Sequence, residues 1–341
     1  MVAPFYGCPL YSRRWSADTC VTTLERGNEK NEKKLFMINY NPLIQPFELP
    51  VQKLVVHCIS EAPLYFPPSE GATPGTTLCG TFGQVLCNYP DGSSVVPWLY
   101  KPYSKVHRRN FARPVLLRAK ELESTEPVDV FTLEVTLWGR HAIAAQDVVV
   151  DALKKMGQLG FNVKGNKIGF GVTQVKVEES LTLAQRVDAL PAMQGVLLEF
   201  QTPFLHKASG ESDFYISKKL PLIDILGNVA YTLAAWDMED RDLGEDFDAR
   251  MRHNLARDVR DAAWEAAEEL FVIRSHLSTV DVGSRFSGNN KRKFHLQGFV
   301  GLVELGGNFK SALPWLLSLA LAGGGQKRAM GFGSVQMWLD V

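Results

Sequence analysis

Residues 130–177, VFTLEVTLWGRHAIAAQDVVVDALKKMGQLGFNVKGNKIGFGVTQVKV, carry the pattern from which the fold class is read. Val130 to Trp138 alternates apolar and polar side chains, the period of a half-buried strand. Ile143 to Leu159 then sets Val148, Val149, Ala152, Leu153 and Met156 on one face at helical spacing, with Gly160 just beyond as a C-terminal stop. Lys167 to Val177 returns to strand. Upstream, Lys53 to Phe66 is rich in β-branched and aromatic residues and ends at Pro67-Pro68, which predicts another strand. After the turn-rich stretch Ser69 to Gly75, Thr76 or Thr77 can cap a short helix through Leu78, Phe82, Val85 and Leu86.

Strand, helix, strands, helix, strand is the order of a ferredoxin-like split βαβ unit. It recurs downstream: Val196 to Phe204 reads as strand, Leu220 to Trp236 and Ala249 to Phe271 as helices, Phe294 to Leu305 as strand, Phe309 to Leu321 as helix and Ser334 to Leu339 as a closing strand. The predicted class is therefore α+β, with ferredoxin-like (RRM-like) domains in tandem. Residues 1–50 form an N-terminal extension whose 24–34 stretch (LERGNEKNEKK) is dense in charge, 51–188 the first domain and 189–341 the second.

The 341 residues are 45% hydrophobic and 22% charged, enough to bury substantial cores. The longest strongly apolar stretch, Leu313 to Ala322, contains Pro314 and falls well short of the roughly 20 residues of a membrane helix. Residues 1–14 lack the apolar run of a secretory signal, so no membrane partner and a cytoplasmic location are expected. Cys8, Cys20, Cys58, Cys79 and Cys87 form no CxxC pair, which predicts buried thiols, no disulfide framework, no metal and no cofactor.

Formal net charge is zero, yet its distribution is uneven. Between residues 101 and 120 stand Lys101, Lys105, Arg108, Arg109, Arg113, Arg118 and Lys120, with no carboxylate among them. Trp98, Tyr100 and Tyr103 interleave with these cations, a pattern that suits stacking of bases beside phosphate contacts.

Gly323-Gly324-Gly325-Gln326-Lys327-Arg328-Ala329-Met330-Gly331-Phe332-Gly333 holds five glycines in eleven residues. Glycines permit positive φ and close backbone approach, so consecutive N–H groups can form an anion-binding nest while Lys327 and Arg328 supply charge. The bland alternative is a tight structural connection with two solvated cations. The segment is neither a Walker A loop nor a dinucleotide fingerprint, because a helix precedes it and a strand follows.

With Gly298-Phe299-Val300-Gly301 and the helix Leu313 to Leu321 ahead of it, this loop resembles the C-terminal signature of the CRISPR-associated endoribonucleases of the RAMP superfamily, which process precursor CRISPR RNA. Arg285 to Lys293 (RFSGNNKRK), with Arg285, Lys291, Arg292 and Lys293, is similar to the basic approach those proteins carry before that strand. Leu78 to Gly83 (LCGTFG) resembles the family's LRGAFG helix, with Cys79 where a basic residue is common. Thr202-Pro203 resembles its F-x-TP strand and Leu137 to Arg140 its LFG segment. The likeness runs through most of the chain after about residue 50.

The resemblance implies CRISPR repeat RNA, or the processed crRNA, as partner, with other subunits of a CRISPR effector complex as further partners. It also implies cleavage without metal, by 2′-OH attack that leaves a 2′,3′-cyclic phosphate. Lys101, Lys105, Arg108 and Arg109, the basic approach, and Gly323, Gly324, Gly325, Gln326, Lys327, Arg328, Gly331 and Gly333 are the expected RNA contacts.

The family often has a histidine near its first helix, but Pro67 to Asn88 has none. Of the chain's seven histidines, His57 reads as a half-buried strand residue, and His253 and His276 as a charged helix and its end. His206 and His295 carry no further signal. His107, within KVHRR, and His141, after Arg140 at a helix start, are the candidate general bases. Three readings stand: a processing endoribonuclease, a non-catalytic RNA-binding RAMP subunit of a CRISPR ribonucleoprotein, and an unrelated α+β protein with a structural glycine hairpin.

Overall fold

Alternate residues of the strand Pro50–Leu64 (β1), namely Leu54, Val56 and Cys58, are buried, while Lys53, Val55 and His57 take the other face. The computed structural model describes residues 41, 44–66, 73–89, 99, 103–104, 109–110, 112–124, 126–163, 165–206, 220–241, 249–287, 292–328 and 331–340. Both sheets described below lie in one compact unit, Pro42–Val341.

Helix α1 (Pro74–Cys87) follows β1. Its cap is Thr73, earlier than the Thr76 or Thr77 expected: the Thr73 hydroxyl accepts from the Thr76 N–H at 3.2 Å and the Thr76 hydroxyl accepts from the Thr73 N–H at 2.9 Å. Pro74 at the first helical position, where a missing N–H costs nothing, moves the start upstream. A ribbon of Tyr103–Ser104 (β2) and Arg109–Asn110 (β3) precedes β4 (Val115–Arg118) and β5 (Val128–Trp138).

The single helix expected over 143–159 is two helices, α2 (Arg140–Ala144) and α3 (Gln146–Leu159), separated at Ala145. The expected strand 167–177 is likewise divided, between a hairpin of β6 (Phe161–Val163) with β7 (Asn166–Ile168) and β8 (Phe170–Val177). The sheet order is β4-β5-β1-β8 with every neighbouring pair antiparallel. Each helical crossover joins two parallel strands one place apart, and a strand of the other crossover fills the gap. That is the ferredoxin-like arrangement. Leu78, Phe82 and Leu86 of α1 and Val149, Leu153 and Met156 of α3 close one face over the Phe131–Phe161–Phe170 ring cluster.

After β9 (Leu181–Thr182) and α4 (Leu183–Asp188), the order repeats with β10 (Gly195–Phe204), α5 (Leu222–Asp240), α6 (Ala249–Glu268), β11 (Leu270–Ser287), β12 (Arg292–Gly307), α7 (Phe309–Ala322) and β13 (Val335–Asp340). The second sheet runs β11-β12-β10-β13, again all antiparallel. It buries Val196, Leu198, Phe200 and Phe204 of β10, with Leu226, Leu316 and Leu319 also buried in α5 and α7.

Strand β11 is the element that sequence reading missed. Phe271 belongs to it rather than to the preceding helix, and so does His276. It is an edge strand whose Phe271 to His276 are all exposed, so no two-residue burial period marks it. Arg285, Arg292 and Lys293 consequently lie at the closed end of a long hairpin, with Arg285 opposite Phe294 and Lys293 opposite Phe286, rather than on an approach to a strand.

Cys58 and Cys79 are buried, and loss of hydration pushes their thiols up to about 12 and about 11. Cys87 is exposed. Among the described residues no helix is long and apolar enough to cross a membrane.

Candidate functional site

The glycine-rich segment leaves α7 at Gly323 and enters β13 after Gly333, and nearly every backbone device in it depends on glycine. Gly323, Gly325, Gly331 and Gly333 all have positive φ, between +67° and +82°. The Gly324 N–H donates to Gly333 O at 2.9 Å, the Gln326 N–H to Leu205 O at 2.8 Å, and the Gly333 N–H to Pro203 O at 3.1 Å. The loop is thus stitched to itself and to the end of β10. Gly331 also packs its backbone on that of Gly75 at the start of α1, so the crossover of the second domain touches the first helix of the first.

The two neighbouring cations, which look alike in sequence, separate. Lys327 is exposed and sits at φ +62°, a conformation uncommon for any residue but glycine or asparagine. Arg328 turns inward. Its Nη2 donates to Thr232 Oγ1 at 3.0 Å, its Nη1 makes long contacts to Ala322 O and Gly323 O at 3.4 and 3.5 Å, and its guanidinium lies 5.6 Å from the Trp236 ring.

Arg118, from β4 in the basic segment, reaches the same helix end from the other side, with Nη1 donating to Ala320 O at 2.9 Å. Two guanidinium groups therefore cap the carbonyl end of α7, which has no basic residue in its own last turn. Loss of hydration lowers both arginines to about 10, leaving them charged at neutral pH. Neither forms an ion pair among the described residues, and Arg118 Nε and Nη2 are buried without a partner there. Glu134, opposite Arg118 in register, offsets its charge only in part. Two guanidinium groups thus sit at the base of the crossover, at the carbonyl end of the α7 dipole.

A cavity of about 230 Å³ opens between α5 and the crossover, lined in part by His206, Tyr231, Thr232, Gln326 and Arg328. His206 is buried, with Nε2 3.8 Å from Asp224 Oδ2. Tyr231 Oη lies 3.2 Å from His253 Nδ1. Nothing local in the sequence separates His206 from the other histidines. Its one signal is position, two residues past the Thr202-Pro203-Phe204 strand end that pairs with the glycine loop.

His141 is held elsewhere, by the buried carboxylate of Asp240 at the end of α5. Asp240 Oδ1 accepts from the His141 N–H at 3.1 Å and meets its Nδ1 at 3.1 Å, while Asp240 Oδ2 accepts from Arg140 Nε at 3.1 Å. The helix start takes an anion, and that anion is the protein's own Asp240 carboxylate. The His141 side chain is 55% exposed. His107, Lys101, Lys105, Arg108 and Lys291 lie outside the described residues, and the side chains of Arg109, Arg285, Arg292 and Lys293 are likewise not described.

Two antiparallel ferredoxin-like units, the second closed by a glycine-rich crossover against the first, define a tandem ferredoxin-like architecture. Solved structures that share this fold include Cas6 proteins. A Thermus thermophilus Cas6 product complex matches at TM-score 0.53 and 18% identity, over 85% of this chain and 100% of that one. A second Cas6 product complex matches at TM-score 0.50 and 18% identity, over 85% and 99%. The Cas6-containing chain of a partial Cas6-RT-Cas1–Cas2 complex matches at TM-score 0.53 and 12% identity, over 87% of this chain and 47% of that one. At these identities the likeness is one of fold. The sequence matches no family model and no curated protein.

Proposed function

We propose that the protein is a CRISPR RNA processing endoribonuclease that binds repeat RNA at the glycine-rich crossover and cleaves it by 2′-OH attack, giving a 2′,3′-cyclic phosphate and a 5′-hydroxyl. The carrying observation is the pair of partly buried guanidinium groups, Arg118 and Arg328, that face the crossover without an ion-pair partner among the described residues. Burying cations without counter-charge is costly, and a polyanion seated on the loop relieves that cost. The fold shared with Cas6 product complexes supports the same reading.

Chemistry of this kind needs a proton acceptor for the 2′-OH and donors for the phosphorane, and no metal need take part. His107 and His141 remain the proposed bases. The Asp240–His141 pair has the geometry of a carboxylate that orients an imidazole. Incubation with labelled repeat RNA in EDTA tests the activity: specific cleavage is expected, and binding without cleavage would replace this reading with the non-catalytic RAMP subunit, which the lack of a histidine from Pro67 to Asn88 favours. Replacing the true base, by His107→Ala or His141→Ala, should slow single-turnover cleavage about 10²- to 10⁴-fold with little change in affinity. Normal rates in both variants would remove both residues from the mechanism.

Lys327, not Arg328, is the cation whose removal reports on phosphate contact, because Arg328 also caps α7. Lys327→Gly retains the positive φ and removes the charge. It should weaken binding of all RNA sequences alike and lower the log–log salt slope by about 0.7 for single-stranded RNA. An unchanged slope would place the phosphates elsewhere.

A further inference from the structure

We propose that the cavity between α5 and the crossover receives a single unstacked RNA base and so selects the nucleotide bound there. This rests on the RNA-binding reading above and adds a site to it. The cavity of about 230 Å³ is below the roughly 300–1,000 Å³ of ordinary ligand pockets, so its occupant is small. Two surfaces are apolar: Leu205 and Val229 are fully buried and line it. Around them stand groups that donate and accept together, the imidazole of His206, the phenol of Tyr231 and the side-chain amides of Asn228 and Gln326.

That mixture suits a heteroaromatic base, whose edge also carries both donors and acceptors. It does not suit a phosphate. A phosphate is best met by a cluster of donors, and here the Gln326 N–H donates to Leu205 O at 2.8 Å and the Arg328 guanidinium to Thr232 and the carbonyls of Ala322 and Gly323, so the lining is a mixture of donors and acceptors. Arg328 also brings a planar guanidinium, one face of which lies over the Trp236 ring, and bases stack on the other face of such groups. The Tyr231 ring is steadied by His253, at 3.2 Å from its hydroxyl. The backbone that forms one wall of the cavity, Gly324 and Gly325, belongs to the segment proposed to run beside the phosphates. A nucleotide with its phosphate over the loop would have its base within reach of the cavity.

The test uses the full chain and five single-stranded RNA 12-mers: poly-A, poly-C, poly-G, poly-U and an abasic ribose-phosphate strand. Wild type should prefer one base by at least about tenfold, the scale of one stacked and hydrogen-bonded base. Asn228→Leu, at an exposed helix position where folding is safe, and His206→Gln should each reduce that preference to within about threefold and leave the abasic strand's affinity unchanged. Thermal unfolding of each variant identifies any that has lost its fold, and the exposed Asn228→Leu keeps the test decisive if His206→Gln does. A wild type without base preference, or a preference that survives both substitutions, would overturn the proposal. So would weaker binding of the abasic strand by the variants, which would make the cavity a phosphate site. Failure of the wild type to bind any of the five strands would remove the RNA reading itself, and this inference with it.

Discussion

Gly333→Ala should destabilise the folded protein by about 3 kcal/mol or more, read as a drop in the urea midpoint at unchanged m-value. Two costs add. Gly333 has φ +74°, which an alanine adopts only with strain, and a Cβ there would collide with the carbonyl oxygen of Gly324. The obstacle is backbone, so no side-chain rotation can make room. The same residue also accepts from the Gly324 N–H at 2.9 Å and donates to Pro203 O at 3.1 Å, so displacing it breaks the stitch between the crossover and β10. Gly80→Ala is the control. It lies in α1 with open space around its Cβ position, so alanine should stabilise by about 0.5–1 kcal/mol through helix propensity. If Gly333→Ala and Gly80→Ala unfold alike, the crossover is not the rigid element described here.

Asp240→Ala should cost about 2–4 kcal/mol, because it removes the one carboxylate that serves Arg140, the His141 N–H and the His141 ring together. Asp240 is only 4% exposed while Arg140 is 67% exposed, so solvent screens part of the ion pair but little of the backbone contact. Gly139, at φ +84°, completes the clasp: a Cβ there would stand 2.7 Å from Asp240 Oδ1. The neighbouring Trp138 and Trp236 rings, 5.2 Å apart, and the Trp236 Nε1 donation to Ala112 O at 2.7 Å bind the same two regions. Loss of Asp240 should therefore loosen how the first domain meets α5. Stability within about 0.5 kcal/mol of wild type in denaturant unfolding would show that the ring contacts hold this junction alone. A cleavage rate that falls in Asp240→Asn while stability holds would instead tie Asp240 to the orientation of the His141 imidazole.

The order of elements in both domains was legible because it is a matter of local periodicity. Val130 to Trp138 alternates and Gln146 to Leu159 repeats at helical spacing; burial in the folded chain follows the helical period and the strand period from Phe131 to Val135, beyond which Thr136 to Trp138 are all buried. Where the local signal fails, so does the reading. Strand β11 lies at a sheet edge with exposed residues on both faces, and Thr73 was hidden behind two later threonines that are equally good caps by type.

By itself the sequence determined the tandem α+β order, the buried cysteines Cys58 and Cys79, and the glycine-rich crossover, since each depends on a residue's own conformational range, polarity or spacing to near neighbours. Only the tertiary structure decided which charges are exposed and which turn inward as structural clasps. Arg328 stands beside Lys327 in sequence, yet its contact to Thr232 spans 96 positions, and His141 meets Asp240 across 99. The cavity around His206 likewise joins a strand end, one helix face and the crossover. Partners so distant along the chain leave no mark on local periodicity. They are brought together by the burial of the two sheets and their helices, and that packing alone sets which way each side chain turns.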